Sequence, residues 1–413
     1  MASFVKPSPH QQVTVVGGGP AGATAARTLA MAGVSVRVLD RAAFPRIKPC
    51  GGGISIRVLT RFPYVKPALG RIATHFLSKL YLEGPDGSST VVTSDEPAAL
   101  MIRRYEYDNL LVSLAREAGA EIVSGVDIVQ ASQDRNAVTL TSRDGRTFTA
   151  PLVIAADGVH SVIARRLGIN PGWKANAVAL DMMEETPREH LRDIDPSTLW
   201  VAYGYGGDGY AYIFPKRDHV NIGIGYVLSH YRRHIDVAPY DLQRGFVSQL
   251  RDRGIVVGAS VRKNFTPFLI PVGGPLPAPA RGRVLLAGDA GGFVNGFTAE
   301  GIYYAMVSGD RAARAVIEGG EHRAAELYRR GVDYEIGSEL RDSVLIQRYL
   351  FANPRRISRV IRGANREQAI TRLILELAIG RRSYSSVRRR ILTRAPLMAA
   401  QLLLGRILGH IDG

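Results

Sequence analysis

The chain has 413 residues, of which 46% are hydrophobic and 22% charged, with a net charge of +16. No uninterrupted apolar run approaches the ~18 residues of a membrane span, and a lone cysteine, Cys50, excludes an intrachain disulfide. That size implies two or three domains' worth of structure, and single-cysteine usage fits a reducing compartment.

The N-terminal MASFVKPSPHQQ lacks an apolar core, so no signal peptide is expected and a cytoplasmic location is. Residues 12–19, QVTVVGGG, read as a buried parallel strand running into a glycine turn. Residues 20–32 read as an Ala-rich helix stopped by Gly33, and Val34 to Leu39 as a second strand closed by Asp40. Together they make a βαβ unit. The next stretch, RAAFPRIKPCGGG, is too rich in Gly and Pro for regular structure, and loops of that length are usually functional. Strands and hairpins follow at 76–93 and 137–149, with turns at Asp86-Gly87 and Asp144-Gly145. Between them, Tyr107 to Ala118 is a predicted helix with Leu110, Leu111, Leu114 and Ala115 on one face. Leu152 to Ala156 is a short buried strand ending at Asp157-Gly158. From about Ala175 to Pro271 the pattern turns to strands, with one helix expected over Leu242 to Arg253. RVLLAGDA then repeats the strand-to-turn pattern, and a helix is expected from about Glu300 to Glu318. From Glu321 onward the chain reads as helical, with 18 arginines against nine acidic residues, a net +9.

These elements predict an α/β (α+β) protein. A Rossmann-like dinucleotide domain with strand insertions covers 1–174 and 272–320. An antiparallel-sheet substrate domain covers 175–271, and a basic helical region 321–413.

The hexapeptide Gly17-Gly18-Gly19-Pro20-Ala21-Gly22 matches G-x-G-x-x-G. Gly17 permits the tight turn, Gly19 the approach of a pyrophosphate, and Gly22 close packing of helix on strand. The helix start offers amide groups and a positive dipole to phosphate. Asp40 is placed to accept from a ribose hydroxyl, with Arg41 beside it. This spacing alone does not choose between FAD and NAD. Gly288-Asp289 after a further apolar strand, and Asp157 after another, add two more strand-end turns. An aspartate in such a turn suits ribityl hydroxyls, and the helix start at Gly301 and Ile302 suits a reduced, anionic flavin ring. Three such turns point to FAD.

The order of these turns over about residues 12–320 resembles flavoproteins of the p-hydroxybenzoate hydroxylase-like superfold. FPRIKPCGGGIS (44–55), RRYEYDNLL (103–111), GYAYIFPK (209–216) and GDAGGFVNGFTAEGIYYAM (288–306) resemble the geranylgeranyl reductase family in particular. That resemblance implies an FAD-dependent reductase of carbon–carbon double bonds in an isoprenoid chain. Reduced flavin would give hydride, and Cys50 or a tyrosine-held water a proton. Gly17, Gly19, Gly22 and Asp40 would bind the ADP half. Arg104 would reach the phosphate or ribityl region, and Asp289 the ribityl chain. Cys50, Gly51 and Gly52 would line the flavin ring, and Tyr210, Tyr212 and Phe214 would wall the substrate cavity. The reductant would be NADPH or another low-potential donor.

Residue types leave other readings open. The rings of Tyr210, Tyr212 and Phe214 share one strand face and suit a core as well as a cavity. Lys216 reads equally as a solvated strand end. The histidines lack metal-ligand spacing, so no metal is expected. The family commonly has proline and glycine where Gly296 and Ala299 stand, and tryptophan at Tyr212. Those departures bear on the loop under the flavin and on cavity shape.

Ile370, Leu373, Ile374, Leu377 and Ala378 share a helical face, followed by Arg381, Arg382 and Arg388 to Arg390 and an apolar stretch from Leu397 to Leu408. This pattern suits peripheral contact with anionic membrane, or packing on the protein's own core. Two other functions share these features. One is a flavin-dependent monooxygenase or halogenase of the same superfold. A remote one is a basic nucleic-acid-binding protein with structural FAD, although no nucleic-acid-binding signature is present.

Overall fold

Val13–Val16 consists of β-branched residues, which favour strands, and all four are buried. Gly17 ends it with φ 96°, a conformation disfavoured for other residues. Pro20 opens the helix Pro20–Met31 at a position where its missing N–H costs nothing. The structure is a computed structural model that describes residues 13–205, 209–378, 382, 384–386 and 388.

The βαβ unit seeds a six-stranded sheet. Its order is Ala280–Arg281, Val284–Leu286, Val153–Ala155, Val13–Val16, Val36–Asp40 and Glu121–Ser124. All neighbours are parallel except the outer hairpin of 280–281 with 284–286. The Gly17, Asp40, Asp157 and Gly288-Asp289 positions therefore all fall at the carboxyl ends of strands, the edge where open α/β sheets bind ligands.

A second, seven-stranded sheet has the order Phe265–Ile270, Ala179–Pro187, His219–Val227, Gly209–Pro215, Thr198–Tyr205, Lys79–Glu83 and Ser89–Thr93. It is antiparallel except where Thr198–Tyr205 runs parallel to Lys79–Glu83. Strands within 76–93, expected as insertions in the dinucleotide domain, thus extend this second sheet. One three-stranded sheet comprises Gly53–Ser55, Ala99–Ile102 and Thr74–Leu77, and another comprises 128–133, 138–142 and 147–150.

The expected helices form close to their predicted bounds, as Arg104–Glu117 and Pro239–Asp252. The helix expected from Glu300 starts at Ile302 and runs to Val332, with a kink at Gly320. It lies against Pro20–Met31 so closely that a Cβ at Gly309 would be 2.1 Å from the Ala21 carbonyl oxygen. Ser338–Phe351, Pro354–Arg366 and Gln368–Ala378 continue the helical region. Ile357 and Ile361 are buried with Leu82, Met183, Val201 and Tyr212, and Ile374 packs on the same cluster. This part of the basic region covers the second sheet. Leu397 to Leu408 lies outside the described residues. No helix among the described residues is long and apolar enough to cross a membrane.

Candidate active site

Two cavities meet between the sheets. The first, about 350 Å³, lies along the carboxyl edge of the parallel sheet. Gly17, Gly19, Asp40, Arg41, Cys50, Arg104, Asp157, Gly288, Asp289, Gly301 and Ile302 all line it. The second, about 210 Å³, lies over the seven-stranded sheet and is lined by Gly51, Gly52, Tyr210, Tyr212 and Phe214, with Leu77, Leu80 and Val201 among its apolar neighbours. Cys50, Phe268, Ile270, Ala299, Gly301 and Ile302 belong to both walls.

The glycine turn is built for contact with a ligand at one position and for packing at two. A Cβ at Gly22 would be 1.9 Å from the Gly17 carbonyl oxygen, and one at Gly17 2.3 Å from that of Ala156. At Gly19 the nearest atom would be Arg46 Nη2, at 3.6 Å. Backbone is therefore bare toward the cavity at Gly19, beside the helix start. Asp40 holds the turn: Gly18 N donates to its Oδ2 at 2.7 Å and Ala42 N to its Oδ1 at 2.9 Å.

Arg104 is buried and donates to both oxygens of Asp108, at 2.6 and 2.8 Å. Arg46 Nη1 approaches the same carboxylate at 3.2 Å, and its Nε lies 3.7 Å from Asp40. Arg103 turns away to Glu106 and Glu185. Lys48 also lines the first cavity. Burial lowers its pKa, against the pull of Asp289. Burial also raises the Asp157 carboxyl above the usual range, and Ile163 N donates to its Oδ2 at 3.3 Å.

The loop joining the cavities is clamped from behind. Arg57 pairs with Glu339 at 3.0 Å and Glu300 at 3.6 Å. Ser55 N donates to Glu300 at 2.9 Å, and Tyr304 Oη to Glu339 at 2.7 Å. Ala299, in this loop, has φ 57°. That is the conformation in which the glycine of the resembling family costs nothing.

In the second cavity the Tyr210 and Tyr212 rings are 5.4 Å apart, and Tyr212 and Phe214 4.4 Å. Their strand face is a cavity wall that closes on Cys50–Gly52. A Cβ at Gly51 would meet the Phe214 ring at 2.8 Å, and one at Gly52 the Ile102 carbonyl oxygen at 2.1 Å. Cys50 Sγ accepts from Gly52 N at 3.4 Å, and Asn221 Nδ2 donates to the Cys50 carbonyl. Lys216 is not a solvated strand end: it is buried and pairs with Glu185. Asp181, which sequence reasoning did not single out, also lines this cavity, and Tyr212 Oη donates to its Oδ1 at 3.3 Å. Burial without a cation pushes this carboxyl up to about 7. Its signal in the sequence is a lone acid between Leu180 and Met182 in a strand. For Arg46 and Lys48, the signal is their spacing just before Cys50.

No cluster of His, Cys, Asp or Glu suited to a metal occurs among the described residues. The residues do fit FAD. Two helix starts, at Pro20 and Ile302, face one cavity, and bare backbone at Gly19 and the cations Arg46 and Lys48 favour an anionic ligand.

Comparison with known proteins agrees. The FAD binding domain family matches residues 10–254. The chain is 31% identical over 327 residues to the chloroplastic geranylgeranyl diphosphate reductase of Nicotiana tabacum, covering 75% of this chain and 67% of that protein. It is 32% identical over 320 residues to the menaquinone reductase of Mycobacterium tuberculosis, covering 73% and 75%. In fold it resembles a geranylgeranyl bacteriochlorophyll reductase-like protein from Thermoplasma acidophilum, at TM-score 0.77 and 20% identity over 95% of this chain and 98% of that one. The chain belongs to the geranylgeranyl reductase family of FAD-dependent oxidoreductases.

Proposed function

We propose that this oxidoreductase saturates carbon–carbon double bonds in the side chain of an isoprenoid. The observation that carries the reading is the shared wall of the two cavities. The dinucleotide cavity and an apolar, aromatic cavity adjoin at Cys50, Ala299, Gly301 and Ile302. FAD bound there would supply, once reduced, a hydride, that is one proton with two electrons.

The protein's own groups hold and enclose. Gly17, Gly19 and Asp40 with Arg41 receive the ADP half, Gly22 lets the helix seat, and Arg104, Asp157, Gly288 and Asp289 face the middle of the cofactor. The start of the 302–332 helix offers its positive end to the flavin. Tyr210, Tyr212 and Phe214 give a prenyl chain a flat wall from which water is excluded. The reductant is NADPH or another low-potential donor.

The relatives named for reduction of geranylgeranyl diphosphate and of menaquinone support an isoprenoid substrate. The division into an FAD-binding part, a substrate sheet of 175–271 joined by the strands of 79–93, and the basic region 321–413 belongs to this proposal. So does a cytoplasmic protein in peripheral contact with anionic membrane, for which the exposed Arg355, Arg359 and Arg366 supply charge.

The test is product analysis. The reduced holoprotein is incubated without oxygen with geranylgeranyl and polyprenyl-quinone compounds in turn. A product gaining two hydrogens per double bond supports the reading. Recovery of every compound unchanged counts against it.

A further inference from the structure

Asp181 is an acid in an apolar setting. It lies on Ala179–Pro187 between Leu180 and Met182 and is 4% exposed. A buried carboxyl without a cation costs free energy that an apolar residue would not, which marks such groups as functional candidates.

Its surroundings leave room for one partner. Across the sheet, Asp181 faces Gly225 on one side and Phe268 on the other, neither of them charged. Beyond Gly225 lies Tyr210. Gly223 stands between Met183 and Tyr212, and a Cβ there would be 2.3 Å from Tyr212 Oη. Glycine at 223 is therefore what lets the phenol lie across the intervening strand and donate to Asp181 Oδ1 at 3.3 Å. Tyr210 and Cys50 are the other titratable groups facing Tyr212. All four groups line the second cavity, and Cys50 also lines the first.

We propose that the Asp181–Tyr212 pair supplies the proton that completes double-bond reduction, with the Asp181 carboxyl as proton store and the Tyr212 hydroxyl as relay. This inference rests on the alkene-reductase reading. An isolated alkene accepts hydride poorly unless protonation accompanies it, so the second cavity needs an acid within it. As the π bond breaks, one carbon takes the hydride of reduced FAD and the other the Tyr212 proton. Tyr212 takes the Asp181 proton in the same event as it gives up its own, and the resulting carboxylate is reprotonated by solvent after the product leaves. An external two-electron donor such as NADPH restores the flavin. Burial places the carboxyl at about 7 and holds both tyrosines well above their ordinary range. The acid is thus available near neutrality, and the phenol stays protonated.

The test uses the full chain and two near-isosteric variants, Asp181→Asn and Tyr212→Phe. Infrared pH titration of the FAD-free protein needs no substrate. Subtracting the Asp181→Asn spectra removes the other buried carboxyls, such as Asp157 and Glu300, and the difference should show a protonated-carboxyl band that fades with a midpoint of about 7. An Asp181 carboxyl already ionised near pH 5, as an ordinary one is, overturns the proposal whatever the substrate. In the reduced, FAD-loaded protein, either variant should slow alkene-driven reoxidation by about 10²–10⁴-fold. FAD affinity should stay unchanged, and the fall in rate above pH 7 should vanish in Asp181→Asn. Reoxidation of that variant within about threefold of the wild type, with the same pH profile, refutes the proton role. A wild type that no isoprenoid reoxidises refutes the alkene reading itself, an outcome the infrared result keeps separate.

Discussion

Gly19 and Gly22 stand three residues apart in one turn, yet alanine at the two positions should have different consequences. At Gly22 the new methyl would sit 1.9 Å from the Gly17 carbonyl oxygen and 3.1 Å from Val15 Cγ1. The first neighbour is backbone in a strand-to-helix turn and yields only if helix and sheet separate. Overpacking of this kind costs about 3 kcal/mol or more. At Gly19 the nearest atom is the end of the Arg46 side chain, at 3.6 Å. Alanine is a slightly poorer helix cap than glycine, by up to about 1 kcal/mol, but it also restricts the unfolded chain by a similar amount. The two effects offset, so Gly19→Ala should leave the FAD-free fold intact. Its methyl projects where the pyrophosphate must approach, and a clash of about 1–3 kcal/mol is roughly a 5- to 150-fold loss of FAD affinity. The assay is thermal unfolding of the FAD-free variants beside an FAD fluorescence titration. Gly22→Ala should melt several degrees lower, whereas Gly19→Ala should melt like the wild type and bind FAD weakly. A Gly19→Ala protein that binds FAD normally, or one that melts as low as Gly22→Ala, would refute this assignment of the turn.

Ala299→Gly should raise stability by up to about 1 kcal/mol, because a left-handed alanine costs ~1–2 kcal/mol and glycine's extra chain entropy returns part of it; a lower melting temperature would count against strain at this loop. Lys48→Gln should weaken FAD binding about tenfold, and less so in high salt, since the ammonium lines the dinucleotide cavity; unchanged affinity would place it outside the contact. Asp181 also carries a pH signature. Its folded pKa of about 7 exceeds the unfolded value near 4, so the folded state holds the extra proton between them. Stability should therefore fall by a few kcal/mol as pH rises from ~4 through ~7, and then level off. Melting curves of the FAD-free protein should show that fall reduced in Asp181→Asn, and an unaltered pH dependence would contradict it.

The turns of the dinucleotide site were legible because the backbone itself demands their residues. Only glycine fits at 17 and 22, and strand ends at 40, 157 and 288–289 put their side chains at one sheet edge whatever else the chain does. The helix at 104–117 was legible from apolar spacing, and those at 239–252 and 302 onward were placed within a few residues of their starts. What stayed hidden was long-range pairing. Nothing local in Lys79–Glu83 says that it runs beside Thr198–Tyr205, over a hundred residues on, so the extent of the second sheet was missed. Lys216 looked like a solvated end because its partner Glu185 lies on another strand. Asp181 carries no motif that singles it out, and only the arrangement of Gly223 and Tyr212 beside it suggests the proposed use. The apolar side of 368–378 was open between membrane and core. Ile374 packs on the protein's own cluster and Leu377 on the second cavity, so this helix closes the site.

The central claim is that reduced flavin in this protein passes its electrons to an alkene. It is tested most directly by reducing the bound flavin without oxygen, adding an isoprenoid, and following the visible spectrum. The account predicts return of the oxidised flavin spectrum on addition of a prenyl substrate while oxygen is still excluded. A flavin that stays reduced with every isoprenoid, and reoxidises only when oxygen enters, would contradict it.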